Sequence, residues 1–236
     1  EHFKTPKKDQ NYYFMHGIQG NIFNTVHQMI VDRDIQPVID HIYDFKHIAD
    51  AQKRSQNGHL SGKIVGVISN KPEAYALKRA QDADIPTAVI EHKQYPNREA
   101  FDDVMHQQLL EWDADLVILA GFMRILSAQF VKSWEGKMIN IHPSLLPNYK
   151  GMHTHQRVLN TGDTLHGCTV HYVTAELDAG QALAQGVLKV NEHDNVHTLA
   201  NRVHVLEHVI YPQVVEWICT GAIQHTARGV DYRGQP

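Results

Sequence analysis

The chain of 236 residues holds only two cysteines, Cys168 and Cys219. No C-x-x-C exists, so neither a dithiol redox motif nor a thiolate zinc cage can be assembled. Both cysteines read as small core residues, and a reducing, cytoplasmic compartment fits their scarcity. No apolar run approaches the ~20 residues of a membrane-spanning helix. A basic excess is missing too: 22 Lys+Arg against 26 Asp+Glu leave a formal net charge of -4. Nucleic acid and acidic membrane are therefore not expected as partners, and Lys4, Lys7 and Lys8 read as a solvated end. There is no internal repeat, no low-complexity linker and no G-x-S-x-G nucleophile turn. The first ten residues, EHFKTPKKDQ, contain neither an initiator Met nor a signal-peptide apolar segment, and read as the start of a fragment or processed product.

What is present is a chain with 42% hydrophobic residues, enough for one large domain or two small ones. Its 18 histidines are spread along the chain, which argues against one dedicated metal site and makes charge pH-dependent near neutrality. From about Gly62, strand and helix signals alternate. KIVGVIS (63–69) and TAVI (87–90) read as strands, with a helix from Pro72 to about Ala83 between them. A helix over 98–112 puts Phe101, Val104, Met105 and Leu109 on one face. DLVILAG (115–121) is apolar on consecutive positions, as a strand buried on both faces would be. Ser127 can cap a helix carrying Phe130, Val131 and Trp134 that stops at Gly136. KMINIH (137–142) follows as a strand, then a helix over 153–162 ended by Gly162, then an alternating, half-buried strand over 169–174. A last long helix aligns Leu199, Val203, Leu206 and Ile210, and Pro212 should kink or break it. This order predicts an α/β layer fold with a mostly parallel sheet.

In such sheets ligands bind beyond the carboxyl ends of strands, which singles out AGFMRIL (120–126) and NIHPSLLP (140–147). Asn140 and His142 are two apart on a strand and share a face. An amide N–H beside an imidazole that can carry a proton suits a developing oxyanion. Asp178, in ELDAG, can raise the basicity of a nearby histidine and fix its tautomer. No nucleophile stands at a strand end, so direct transfer through a tetrahedral intermediate is the expected chemistry.

AGFMRILS, NIHPSLLPNYKGMHTH, HGCTVHYVTAELDAG and LEHVIYP together closely resemble the phosphoribosylglycinamide formyltransferases, over about residues 65–221. The resemblance implies a Rossmann-like fold with helices on both faces of the sheet, and formyl transfer from 10-formyltetrahydrofolate, a co-substrate, to the amine of glycinamide ribonucleotide. It implies that Asn140, His142 and Asp178 are the catalytic trio. Asn140 and protonated His142 would hold the oxyanion, and Asp178 would support His142 and relay protons through water. Arg98, Met123, Arg124, Ile125 and Leu126 would meet the folate, with Asn140 and Asp178 bordering it and the 174–180 loop around the pterin. Glu207 would hold the nucleotide. His153, His155 and Thr169–His171 would lie nearby in support. No metal is implied, and the assembly would be a monomer or a homodimer.

One part departs from that pattern. The family opens with a strand and a glycine-rich loop whose amides hold the nucleotide phosphate at a helix N-terminus. Here residues 40–52, DHIYDFKHIADAQ, contain no glycine, and Lys46 offers only a point charge. Residues 35–65, from IQPVID to GKIV, instead resemble the C-terminal tail of zinc-type medium-chain alcohol dehydrogenases and quinone oxidoreductases, with neither zinc ligands nor a dinucleotide motif. The chain thus reads as a chimera: an atypical segment 1–62, a formyltransferase domain 63–221 and a tail 222–236. The first strand and phosphate loop would be replaced. A central strand slot would then stay open unless PVIDHIY filled it, and nucleotide affinity would be weak. A dissociation constant equal to that of an intact family member would contradict the last expectation.

Overall fold

The computed structural model describes residues 12–16, 62–227 and 229–232. The segment 40–52, Lys46 and PVIDHIY lie outside them. The elements run β1 (Tyr12–His16), β2 (Val67–Ser69), α1 (Tyr75–Asp82), β3 (Thr87–Val89), α2 (Arg98–Glu111), β4 (Val117–Leu119), α3 (Ala128–Ser133), β5 (Met138–His142), α4 (Thr154–Thr161), β6 (Leu165–Tyr172), β7 (Ala182–Lys189), α5 (Val196–Cys219), β8 (Ile223–Thr226) and β9 (Gly229–Tyr232).

The α/β order is the one expected, but the main sheet is mixed rather than mostly parallel. Its five strands lie in the order β1-β7-β6-β5-β4. Only β4–β5 is parallel; β5–β6, β6–β7 and β7–β1 are antiparallel. The short loop between β6 and β7 makes a hairpin, which cannot be parallel. Strand β1 adds to the far side of β7, an element without a counterpart in the sequence reading.

Helices cover both faces. Ile139 joins the cluster built by Leu199, Val203, Leu206 and Ile210 of α5, with Val158 of α4. Its neighbour Met138 joins Phe101 and Met105 of α2 and Phe130, Val131 and Trp134 on the opposite face. Strand alternation alone sends consecutive residues to these two cores. Ser127 caps α3 by accepting from the Phe130 N–H at 3.3 Å, and Gly136 follows at φ 69.

Several local expectations change on folding. Helix α5 runs unbroken through Pro212. Proline forgoes one backbone hydrogen bond, and burial of Leu206, Ile210, Tyr211 and Val214 on both sides of it keeps the helix whole. Strand β6 is buried almost throughout, not half-buried, because it sits between β5 and β7. Cys219 is exposed, whereas Cys168 is buried. Val104 stands at 37% exposure on the rim of its helix face. The residues read as a tail form the hairpin β8–β9, whose Ile223 is buried in the α5 core.

Strand β4 is not buried on both faces: Val117 is buried, but Ile118 is 43% exposed. Strands β2 and β3 pair with each other in parallel and form a separate two-stranded sheet among the described residues. Ile68, Ala88, Val117 and Leu119 still share the α2 core. One face is thus continuous across β2, β3 and β4, while among the described residues no ladder joins β2 to β4. Exposed Val89 and Ile118 alternate out of that core on the other face.

Candidate active site

The site forms where β5 ends. Asn140 lies opposite His171 and His142 opposite Thr169 in the antiparallel β5–β6 register. All four point away from α5, because Ile139, Val170 and Tyr172 take the alternate positions in its core. After His142 the chain turns into a loop pinned by a buried network. Thr169 Oγ1 donates to the Ser144 carbonyl at 2.7 Å and accepts from the Leu146 N–H at 3.0 Å. Gln185 Nε2 adds bonds to Thr169 Oγ1 and the Leu146 carbonyl, both at 2.9 Å.

Asp178 arrives from the loop between β6 and β7, at φ 49. That loop lies so close to β6 that a Cβ on Gly180 would sit 1.6 Å from the Tyr172 carbonyl oxygen. Gly180→Ala should therefore push the loop away and cost about 1–3 kcal/mol. Urea unfolding at neutral pH would register this, and an unchanged midpoint would contradict the close approach.

Asn140, His142 and Asp178 come together at the end of β5. His142 Nδ1 is 3.4 Å from Asp178 Oδ2, with both side chains 8% exposed. His142 Nε2 lies 3.0 Å from the Tyr149 carbonyl oxygen. Both ring nitrogens face acceptors, so the doubly protonated imidazolium is the form that satisfies both. Asp178 Oδ2 also accepts the Gly151 N–H at 2.8 Å. His171 completes the group: its Nδ1 is 2.9 Å from the Tyr172 carbonyl and its Nε2 is 3.4 Å from Asn140 Nδ2. Burial, the largest influence, holds the His171 pKa below its ordinary value. The ring is then neutral, Nδ1 keeps the proton, and Nε2 accepts from Asn140. Its approach to Asp178 Oδ1 at 3.9 Å is accordingly not an ion pair. The Asn140 amide nitrogen is thereby oriented with its second hydrogen left to point elsewhere.

The remaining candidates differ in exposure and in partners. Met123 and Ile125 are 80% and 65% exposed on the loop leaving β4, and Leu126 is half-buried. Arg124 stacks its guanidinium 5.6 Å from the Phe101 ring centre. Arg98 is exposed in the first turn of α2, where the Asn97 side chain caps the helix. Glu207 is on α5, on the other side of the sheet, and its carboxylate lies 4.0 Å from His204 Nε2. Burial pushes its carboxyl up to about 7. His153 is exposed at φ 58. His155 Nδ1 lies 2.9 Å from Nε2 of the buried His166, and burial lowers both pKa values, that of His166 to about 3.

Sequence reasoning missed the two backbone groups, Tyr149 C=O and Gly151 N–H, because a carbonyl or amide carries no residue signature. It missed His166 for want of a signal: a histidine inside a strand looks like any other. Among the described residues no group of three or more His, Cys, Asp or Glu is placed to hold a metal, and no helix is long and apolar enough to cross a membrane.

Residues 38–215 match the formyl transferase family, and residues 2–65 match the zinc-binding dehydrogenase family. The chain is 50% identical over 161 residues to the trifunctional purine biosynthetic protein adenosine-3 of Bos taurus, covering 68% of this chain but 16% of that one. It thus spans a small part of these multifunctional relatives. It is 41% identical over 177 residues to phosphoribosylglycinamide formyltransferase of Escherichia coli, covering 75% of this chain and 82% of the relative. The fold resembles the solved phosphoribosylglycinamide formyltransferase of Coxiella burnetii, with TM-score 0.71, 44% identity, and 80% and 90% of the two chains covered. It likewise resembles glycinamide ribonucleotide transformylase 1 of Symbiobacterium toebii, with TM-score 0.73, 33% identity, and 79% and 88% covered.

Proposed function

The chain belongs to the formyl transferase family, and from that premise we propose that it transfers a formyl group from 10-formyltetrahydrofolate to the amine of glycinamide ribonucleotide, a step of purine biosynthesis. The observation that carries this reading is the contact of His142 with Asp178 at 3.4 Å beside the His171-oriented amide of Asn140.

The substrate amine attacks the formyl carbon, forming a C–N bond and a tetrahedral alkoxide. Asn140 donates its free amide hydrogen to that oxyanion. His142, held as imidazolium between Asp178 and the Tyr149 carbonyl, places positive charge beside it. Asp178 accepts the proton lost by the amine, through water, and returns it to the folate nitrogen as the second C–N bond breaks. No covalent enzyme intermediate is needed. Met123, Arg124, Ile125 and Leu126 present an exposed apolar and cationic loop to the folate, with Arg98 at its glutamate end. Glu207 meets the nucleotide. Its separation from the trio fits a substrate that reaches past the reacting amine.

A spectrophotometric assay with glycinamide ribonucleotide and a 10-formyl folate tests this reading. Absence of turnover in folded protein would refute it. Among the described residues no ladder joins β2 to β4, which favours a second reading, a folate-binding remnant impaired on its nucleotide side. Folate binding without nucleotide binding in equilibrium titrations would decide for that alternative.

A further inference from the structure

The loop after β5 hydrogen-bonds to both members of the His142–Asp178 pair through its backbone. The Tyr149 carbonyl meets His142 and the Gly151 N–H meets Asp178. Such contacts are only as well placed as the loop itself. Tyr149 and Gly151 both have positive φ, 56 and 79, a conformation that a non-glycine residue such as Tyr149 adopts only when its surroundings impose it. What imposes it is a set of side chains outside the reacting group. The Tyr149 hydroxyl is bonded to the carboxylate of Asp163 and lies 2.6 Å from Thr161 Oγ1, both at the end of α4. Burial and the Asp163 carboxylate raise the phenol pKa, so the hydroxyl remains a donor. Arg157 of α4 donates to the Lys150 carbonyl at 2.6 Å and places its guanidinium 5.3 Å from the Tyr149 ring centre. The ring itself packs against the margin of the α5 core.

We propose that Tyr149, Arg157 and Asp163 form a clamp that positions the 149–151 backbone, and through it the His142–Asp178 pair, for formyl transfer. This rests on the function proposed above. None of the three touches the reacting atoms; they are positioning residues. Without the phenol anchor, the loop can relax from its positive-φ path and the carbonyl leaves His142. The imidazolium then keeps Asp178 alone as acceptor, with His171 nearby and His155 and His166 as the other titratable groups that influence it.

The test uses Tyr149→Phe in the full chain, with Asp163→Asn and Asp163→Leu beside it. Two readouts are followed: steady-state kinetics, and the ring titration of His142 by NMR of histidine-labelled protein, assigned with His142→Gln. For Tyr149→Phe, kcat should fall about ten-fold, as displacement of an acid–base pair by a fraction of an ångström would give, with both KM values within about two-fold. The His142 titration curve should differ from that of the wild type. Asp163→Asn, whose amide oxygen still accepts from the hydroxyl, should lose less than Asp163→Leu. A Tyr149→Phe protein with wild-type kcat and His142 titration would overturn the clamp, as would equal losses in the two Asp163 variants. If the wild type itself shows no turnover, the proposed function fails; the His142 titration still decides the clamp.

Discussion

Asp178→Asn is expected to reduce kcat by about 100- to 10,000-fold, the span typical of a lost acid–base group, with KM changing far less. The substitution is nearly isosteric. Asn can still accept the Gly151 N–H that now reaches Asp178 Oδ2 at 2.8 Å, so the loop between β6 and β7 keeps that tie. Two things are lost. The charge that stabilises imidazolium at His142 disappears, and so does the group that takes the amine proton and hands it to the departing folate nitrogen. Loss from the transition state alone lowers kcat and kcat/KM together. A variant retaining more than about a tenth of wild-type kcat would remove Asp178 from the mechanism. A rise in KM at constant kcat would reassign it to binding.

The second large effect is on stability as pH changes, and two groups oppose each other. His166 is 1% exposed, and burial holds its pKa at about 3 against an ordinary 6.5. Between those values the unfolded chain binds a proton that the fold excludes. This contribution is therefore complete above about pH 6.5 and is lost as pH falls towards 3. The gap corresponds to on the order of 5 kcal/mol at most. Burial lowers His155 and His171 as well, which adds loss of the same sign on acidification. Glu207 acts the other way. Burial raises it from 4.5 to about 7, so the fold holds a proton that the unfolded chain releases. Its contribution is complete below about pH 4.5 and is lost as pH rises to 7. Urea unfolding followed from pH 4.5 to 8 should show stability rising with pH, with a slope blunted between 4.5 and 7. Glu207→Gln removes the opposing group and should steepen that slope by about 1 kcal/mol per pH unit. His166→Gln should flatten the acid side. Identical slopes in wild type and Glu207→Gln would show that the carboxyl titrates normally.

Local chemistry explains why so much of this fold could be read from residues in order. Helix faces such as Leu199, Val203, Leu206 and Ile210 follow from a period of 3.6, and all four are buried. Caps at Ser127 and stops at Gly136 and Gly162 depend only on neighbours a few residues away. The shared face of Asn140 and His142 follows from strand alternation. Expectations failed where distant segments compete with local preference. Pro212 should interrupt α5 by its ring and missing N–H, yet packing on both sides of it outweighs that cost. DLVILAG looks doubly buried because consecutive apolar residues suit a strand covered on both faces; Ile118 is nonetheless 43% exposed.

The trio itself marks the boundary. Residue types and their chemistry sufficed to nominate Asn140, His142 and Asp178, and motif order sufficed to associate them with formyl transfer. Their convergence depends on how β6 turns into β7, on the Gly180 loop lying against the Tyr172 carbonyl, and on antiparallel register setting His171 opposite Asn140. The backbone groups of Tyr149 and Gly151, the burial that keeps His166 and His171 neutral, and the protonated tendency of Glu207 have no signature along the chain. Periodicity and capping are settled over a turn or two of chain. Hydrogen-bond partners, exclusion of water and proton affinity depend on segments far apart in sequence that meet only when the chain is folded.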